Sequence, residues 1–301
     1  MAIGEGPFLE VLGVAQDAGV PQAACVSPNC EAARADPRRR AYATSLALIG
    51  SKGESYLFEA TPDIRPQLDR VMELGKERGR PDAGRRYLDG IFVTHAHMGH
   101  YSGLLHLGFE AAHSQEVPLY GSPKMLAFIE GNQPWKQLVE LRNLVLRPLD
   151  LDPSASVELS DGIKVSPVSV PHRDELSDTV AWRIEGPTHT VLFLPDCDPW
   201  QRWEARGFDW VSMLDGVDTL LVDATFYSED ELPGRDLSKI GHPLVTDSIE
   251  LLREREQAGQ LRVFFIHFNH SNPLLTPDSD ARKRVEAAGF EIAERGLQLA
   301  L

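Results

Sequence analysis

Short apolar runs recur along the chain, and most end on a polar or ionisable residue. They cover residues 8–15, 45–50, 55–60, 90–94, 165–170, 188–194, 219–222 and 263–266. These runs are too short for helices and rich in β-branched and aromatic side chains, so they predict strands, several of them buried on both faces. Helical periodicity predicts helices over 63–74, 102–113, 123–129, 200–214, 244–258 and 280–288. Thr61 before Pro62 and Ser122 before Pro123 offer helix starts. Stretches 79–84 and 230–236, with their Pro and Gly residues, read as surface loops. Sheets covered by outer helices fit this pattern better than a helix bundle does. We expect an α/β fold in one domain, residues 1–301, made of two similar halves dividing near residue 155.

Composition narrows the function. A formal charge of −15 disfavours a phosphate backbone as partner, so no nucleic acid is expected. The one dense basic run, Arg38-Arg39-Arg40 with Arg34 upstream, reads as a solvated loop. No window approaches the ~20 apolar residues that cross a bilayer, and Met1 to Glu5 carry no basic segment leading into an apolar core. The expectation is a cytoplasmic protein without a membrane partner, acting on a small molecule. Three cysteines are too few for a disulfide framework and leave thiols for packing or metal.

The segment "DGIFVTHAHMGHYSG" runs from an apolar strand straight into His95, His97 and His100. In extended backbone, residues two apart point to one side, so the imidazoles of His95 and His97 can face one cation. His100 falls where the chain turns toward a helix, and its ring can enter the same space from another direction. Further ionisable residues stand at strand ends: His172 in "PVSVPHRDE", Asp196 and Asp198 in "VLFLPDCD", Asp223 in "LLVDATFY", and His267 and His270 in "VFFIHFNH". One such histidine is ordinary; the repeated arrangement points to a metal centre.

On these residues the chain resembles the metallo-β-lactamase superfamily. The resemblance implies a four-layer αββα sandwich with two stacked mixed sheets and metal at the sheet edges. The signature HxHxDH matches as His95, His97 and His100, with Gly103 in the glycine position that follows. The later ligands match His172, the bridging Asp196, and His267. Gly99 stands where the signature has aspartate. The resemblance therefore implies one complete site from His95, His97, His172 and Asp196, and a weakened second site from His100, His267 and the shared Asp196. Asp174, Asp198 or Asp223 are candidates to compensate.

Four further segments, "VLGVAQDAGVPQAAC", "EATPDIRPQL", "IGHP" and "FIHFNHSNPLL", resemble the pyrroloquinoline quinone biosynthesis B group within that superfamily. That group commonly alters the His-x-His pair and is associated with iron-dependent hydroxylation. This chain keeps His95 and His97.

Other residues are weaker candidates. Cys25 and Cys30 form C-x4-C, which reads either as packing thiols or as a small structural zinc site with His242 or His270. Cys197 is expected to face away if Asp196 faces the metal. Asp17, Tyr101, Arg173, Asp174, Asp223 and Tyr227 are candidate pocket residues, with Arg173 suited to an anionic group. Trp200 and Trp203 read as packing.

The leading expectation is a hydrolase in which Zn2+, or alternatively Fe2+ or Mn2+, activates water toward an ester, lactone, amide or phosphoester. Asp196, His100 and His267 would then be its catalytic residues. The alternatives are an iron-dependent oxygenase and a non-catalytic protein that keeps metal for folding.

Overall fold

Side chains that alternate between two apolar environments decide how this chain layers. In the computed structural model, which describes residues 5–82, 84–231, 233–236 and 239–301, the first apolar runs form β1 (Phe8–Gly13), β2 (Ser45–Ile49), β3 (Ser55–Phe58) and β4 (Gly90–Phe92). Leu9, Val11, Leu46, Leu48, Phe58 and Phe92 enter a core shared with the second half. Their strand neighbours Phe8, Leu12, Ala47, Ile49, Leu57 and Ile91 face a separate core with the helices outside. The period of two places one strand in both cores, which explains why these runs are apolar throughout.

β5 (Val117–Gly121) and β6 (Leu144–Pro148) extend this sheet. The chain then builds a second sheet from β7 (Val157–Glu158), β8 (Lys164–Ser169), β9 (Val180–Glu185), β10 (Thr190–Leu194), β11 (Thr219–Asp223), β12 (Arg262–Ile266) and β13 (Glu291–Ile292). The last strand, β14 (Gln298–Ala300), returns to the first sheet beside β1. The strand orders are β14-β1-β2-β3-β4-β5-β6 and β13-β12-β11-β10-β9-β8-β7. β3 to β6 run parallel, as do β10 to β13. Aromatic rings lock the sheets face to face: Phe92 stacks on Phe58 at 4.8 Å and meets Trp182 of the other sheet edge-on at 5.2 Å.

The helices are α1 (Pro28–Ala35), α2 (Ile64–Glu77), α3 (Met98–Tyr101), α4 (Pro123–Gly131), α5 (Trp135–Glu140), α6 (Trp210–Met213), α7 (Val245–Gln257) and α8 (Asp280–Ala287). Ser122 caps α4 as expected, accepting from the Met125 amide at 3.1 Å. Two expected helices are corrected. The segment 102–113 holds a 3-10 stretch, Ser102–Leu107, and 200–214 breaks into two 3-10 turns before α6. Gly207, at φ 81°, stops the second of these turns, a conformation that suits glycine. Thr61 does not cap a helix directly: α2 begins three residues later, and the Thr61 hydroxyl binds Gln67 at 2.7 Å. The readings that touch Met1 to Gly4, Ala83 and Leu232 lie outside the described residues.

Among the described residues, no helix is long and apolar enough to cross a membrane.

Candidate metal centre

The ends of the strands deliver the candidate residues to one place. Asp196, Asp223 and His267 follow or close β10, β11 and β12, whose parallel alignment puts their C-terminal ends on one edge. His95 and His97 follow β4, His172 follows β8, and Asp17 sits in the turn after β1. Beyond β1, Ala15 bridges to both Ala43 and Phe268, so the first strand stitches the two sheets together next to His267. This is the crevice outside strand C-termini that parallel sheets commonly use for ligands.

Here the donor atoms of His95, His97, His172 and Asp196 lie within 4.8 Å of one another. His95 Nε2 is 2.9 Å from His97 Nδ1, as the i, i+2 spacing predicts. Asp196 sits at the middle. Its Oδ2 is 2.9 Å from His100 Nε2 and 3.5 Å from both His95 Nε2 and His267 Nε2. Its Oδ1 is 3.6 Å from His172 Nε2. A second group joins Asp17, His100 and His267 within the same limit.

The donor set fits a divalent cation. Asp17 Oδ1, Asp196 Oδ1, His100 Nε2 and His267 Nε2 are buried and make no hydrogen bond among the described residues. Buried polar atoms left so are costly, and converging imidazole nitrogens and carboxylate oxygens are what such an ion requires.

At His95, His172 and Asp196 the protonation states agree with this, whereas at His100 burial opposes the charged ring but the carboxylates of Glu59 and Asp196 outweigh it and raise the group well above the ordinary histidine range. Burial holds His95 well below the ordinary histidine range and pushes His172 down to about 4, so both present neutral, ligand-ready rings. Burial opposes the charge on Asp196, but the imidazoles of His267 and His172 and contacts from His100 and His242 hold its carboxyl well below the carboxylate range.

Outer partners orient the rings. The Thr94 hydroxyl is 2.8 Å from His95 Nδ1, leaving Nε2 to face the cluster. The Thr225 hydroxyl donates to Asp223 Oδ1 at 2.7 Å and lies 3.0 Å from His267 Nδ1, which turns Nε2 of His267 inward. His267 adopts φ 70°, an uncommon conformation for a histidine, held by backbone pairing of Phe268 with Val14.

Several expected assignments are corrected. His242 is not beside the cysteines: its Nδ1 is 2.8 Å from Asp223 Oδ2 and 3.2 Å from Asp196 Oδ1. Burial disfavours the charged ring of His242, yet the carboxylates of Asp223 and Asp196 outweigh it and push the group up to about 10. Asp223 is fully buried and groups with Asp196, His242 and His267. Tyr101 packs on Phe128 and Trp135 at 5.2 and 5.0 Å in the outer core, and Tyr227 is buried in the inner one. Asp174 and Asp198 are taken by Arg206, each at 2.6 Å, and so neither fills the place left by Gly99. Arg173 lies at the rim, 3.5 Å from His97 Nε2. Cys197 is buried in the inner apolar core, as its neighbour's direction implies.

Glu59, Thr94 and Thr225 went unnoticed in the sequence because nothing local marks them. Glu59 is fully buried with Oε1 3.6 Å from His100 Nδ1. His242 had a signal in "IGHP" but no indication of which cluster it would join.

Cys25, Cys30 and His270 form a separate group, with Cys25 Sγ 3.3 Å from His270 Nδ1. Hydrogen bonding with the Ser27 hydroxyl and backbone amide lowers the Cys25 thiol below its usual value.

Two stacked seven-stranded sheets with a histidine and aspartate cluster at their edge define a protein of metallo-β-lactamase architecture. The family model of the beta-lactamase superfamily domain matches residues 55–268, and the chain belongs to that family. It is similar over nearly its whole length to Coenzyme PQQ synthesis protein B. The protein of that name from Methylobacterium sp. (strain 4-46) is 29% identical, over 97% of this chain and 99% of the relative. That from Cupriavidus necator is 27% identical over 97% and 99%. Among solved structures, Zn(2+)-bound PqqB from Methylobacterium extorquens superposes with a TM-score of 0.79 at 26% identity, covering 98% of this chain and 100% of that one. A diphosphatase from the PhnP family shares the fold, with a TM-score of 0.66 at 22% identity over 98% and 97%.

Proposed function

We propose that this protein is a metal-dependent hydrolase acting on an ester, lactone, amide or phosphoester. The observation that carries the reading is the set of His95, His97, His172 and Asp196, complete and convergent within 4.8 Å. A bound zinc ion, or alternatively iron or manganese, supplies Lewis acidity and a source of nucleophilic water at neutral pH. The chain's own groups do the rest. His95, His97, His172 and Asp196 would hold the cation, with Thr94 fixing the His95 ring. Asp196 reaches toward both donor groups and orients the attacking water. His100 and His267 stabilise developing negative charge or hold a second ion. Arg173, exposed and close to His97, can grip an anionic substrate group through its forked donors.

A panel of chromogenic esters, lactones, amides and phosphoesters, assayed after zinc reconstitution without oxygen, tests the reading. Turnover that persists without oxygen and disappears in His95→Ala/His97→Ala is expected. Likeness to Coenzyme PQQ synthesis protein B favours a second reading, an iron-dependent oxygenase of cofactor biosynthesis. Under it, iron-loaded protein consumes oxygen and stays inert anaerobically. A fully loaded protein inert in both assays would leave the non-catalytic role.

We also propose that Cys25, Cys30 and His270 hold a structural zinc ion. Changing Cys25→Ser/Cys30→Ser should then lower zinc content by about one ion per chain and lower the melting temperature, while His97→Ala leaves that ion in place. Unchanged zinc in the serine variant would make the thiols packing groups.

A further inference from the structure

The space beside Gly99 is filled by another residue. A Cβ built on Gly99 would fall 2.1 Å from Asp17 Oδ1 and 2.4 Å from Asp17 Cα. Gly99 lies within α3, so its lack of a side chain serves this close approach and not a left-handed turn. Asp17 Oδ1 is 3.6 Å from His100 Nε2, and the same oxygen groups with His100 and His267 within 4.8 Å.

We infer that Asp17 is the carboxylate ligand of a second cation site, shared with His100, His267 and Asp196, and that Gly99 is the void which admits it. The aspartate missing from the histidine motif has been moved to the turn after β1. Three observations converge. The Asp17 oxygen facing the site is buried without a hydrogen bond, as are His100 Nε2 and His267 Nε2. The turn that carries Asp17 is anchored, with the Gln16 amide donating to the Phe268 carbonyl at 2.8 Å and the Gly19 amide to the Gln16 carbonyl at 2.9 Å. That anchor is one residue from His267, so ligand and loop are set by the same backbone pairing. Charge also balances: a second dication needs a carboxylate beyond the shared Asp196, Asp174 and Asp198 are both held by Arg206, and the oxygens of Asp223 are engaged by Thr225, the Cys197 amide and His242. The site is therefore expected to take a divalent ion that accepts mixed oxygen and nitrogen donors, such as Mn2+ or Zn2+.

This inference rests on the proposed metal centre, and the test separates the two. Metal-free full-length protein is titrated with Mn2+, free ion being counted by electron paramagnetic resonance; Mn2+ is chosen because thiolates discriminate against it, which keeps the cysteine group out of the count. Wild type should bind two ions with a spin-coupled signal. Asp17→Asn, close in shape, should keep the fold by circular dichroism, lose the coupled signal and bind its second ion about tenfold or more weaker. Gly99→Ala, which pushes the carboxylate aside, should behave likewise. Binding of a second ion with wild-type affinity in Asp17→Asn, or a single ion in wild type at saturation, would overturn the inference. In either case, loss of an ion from His97→Ala would leave the first site standing, whereas His97→Ala with an unchanged count would remove both.

Discussion

Asp196→Asn is expected to abolish turnover together with the stabilisation that metal gives through the histidine centre. The carboxylate lies within 3.6 Å of the imidazoles of His95, His100, His172, His242 and His267 and belongs to more than one donor group. Removing its charge strips every neighbouring cation site of its central anion. Loss of the several kcal/mol that such an ion supplies to a transition state corresponds to a fall of roughly a thousandfold or more in kcat/KM. A ligand present at a hundred times its Kd stabilises the native state by about 2.7 kcal/mol. In a Cys25→Ser/Cys30→Ser background, which removes the separate cysteine group, the chain with Asp196 should therefore gain several degrees in melting temperature on adding zinc, and Asp196→Asn almost none. A variant that kept either the zinc-dependent shift or the turnover would show that Asp196 is not the hub of the centre. The metal-free fold should survive, since asparagine preserves the volume.

Gly103→Ala should both destabilise the protein and damage the centre. A Cβ at Gly103 would lie 2.0 Å from the Thr61 carbonyl oxygen and 2.9 Å from that of Ala60, and backbone cannot swing aside as a side chain can. The same contact carries two hydrogen bonds, Gly103 N to Ala60 O at 2.9 Å and Ala60 N to His100 O at 2.8 Å, so the strain acts directly on the residue that presents His100. Overpacking of this kind costs about 1–3 kcal/mol or more, a drop on the order of 5 °C in melting temperature for a chain of this size. Affinity for the second ion should fall more than for the first, because His100 is tied directly to that contact while His172 comes from the segment after β8. Equal melting curves for variant and wild type would refute this account of the glycine.

Short length and side-chain type were enough for the apolar strands, because residues alternating between two cores must be apolar on both sides. The i, i+2 spacing of His95 and His97 likewise forces their side chains to one side of an extended segment. The resemblance of the motifs then implied the superfamily fold, and with it His172, Asp196 and His267 in the order the chain uses them. Local signals failed where tertiary contact outweighed them. The helix expected over 200–214 broke into turns as Trp200 and Trp203 stacked at 5.1 Å into the core, and β5, β6 and β9 were missed because their apolar stretches are interrupted by proline, arginine or glycine.

The composition of the site divides the same way. Sequence determined that a histidine cluster stands at the end of a strand, and that Gly99 brings no carboxylate to it. Only the tertiary structure decided that Asp17 enters the gap, that His242 joins Asp223 instead of the cysteines, and that Arg206 withdraws Asp174 and Asp198. Each of those outcomes depends on loops from different strands meeting at one sheet edge. Spacing within a segment is set by local backbone geometry, whereas proximity between segments is set by how the two sheets stack.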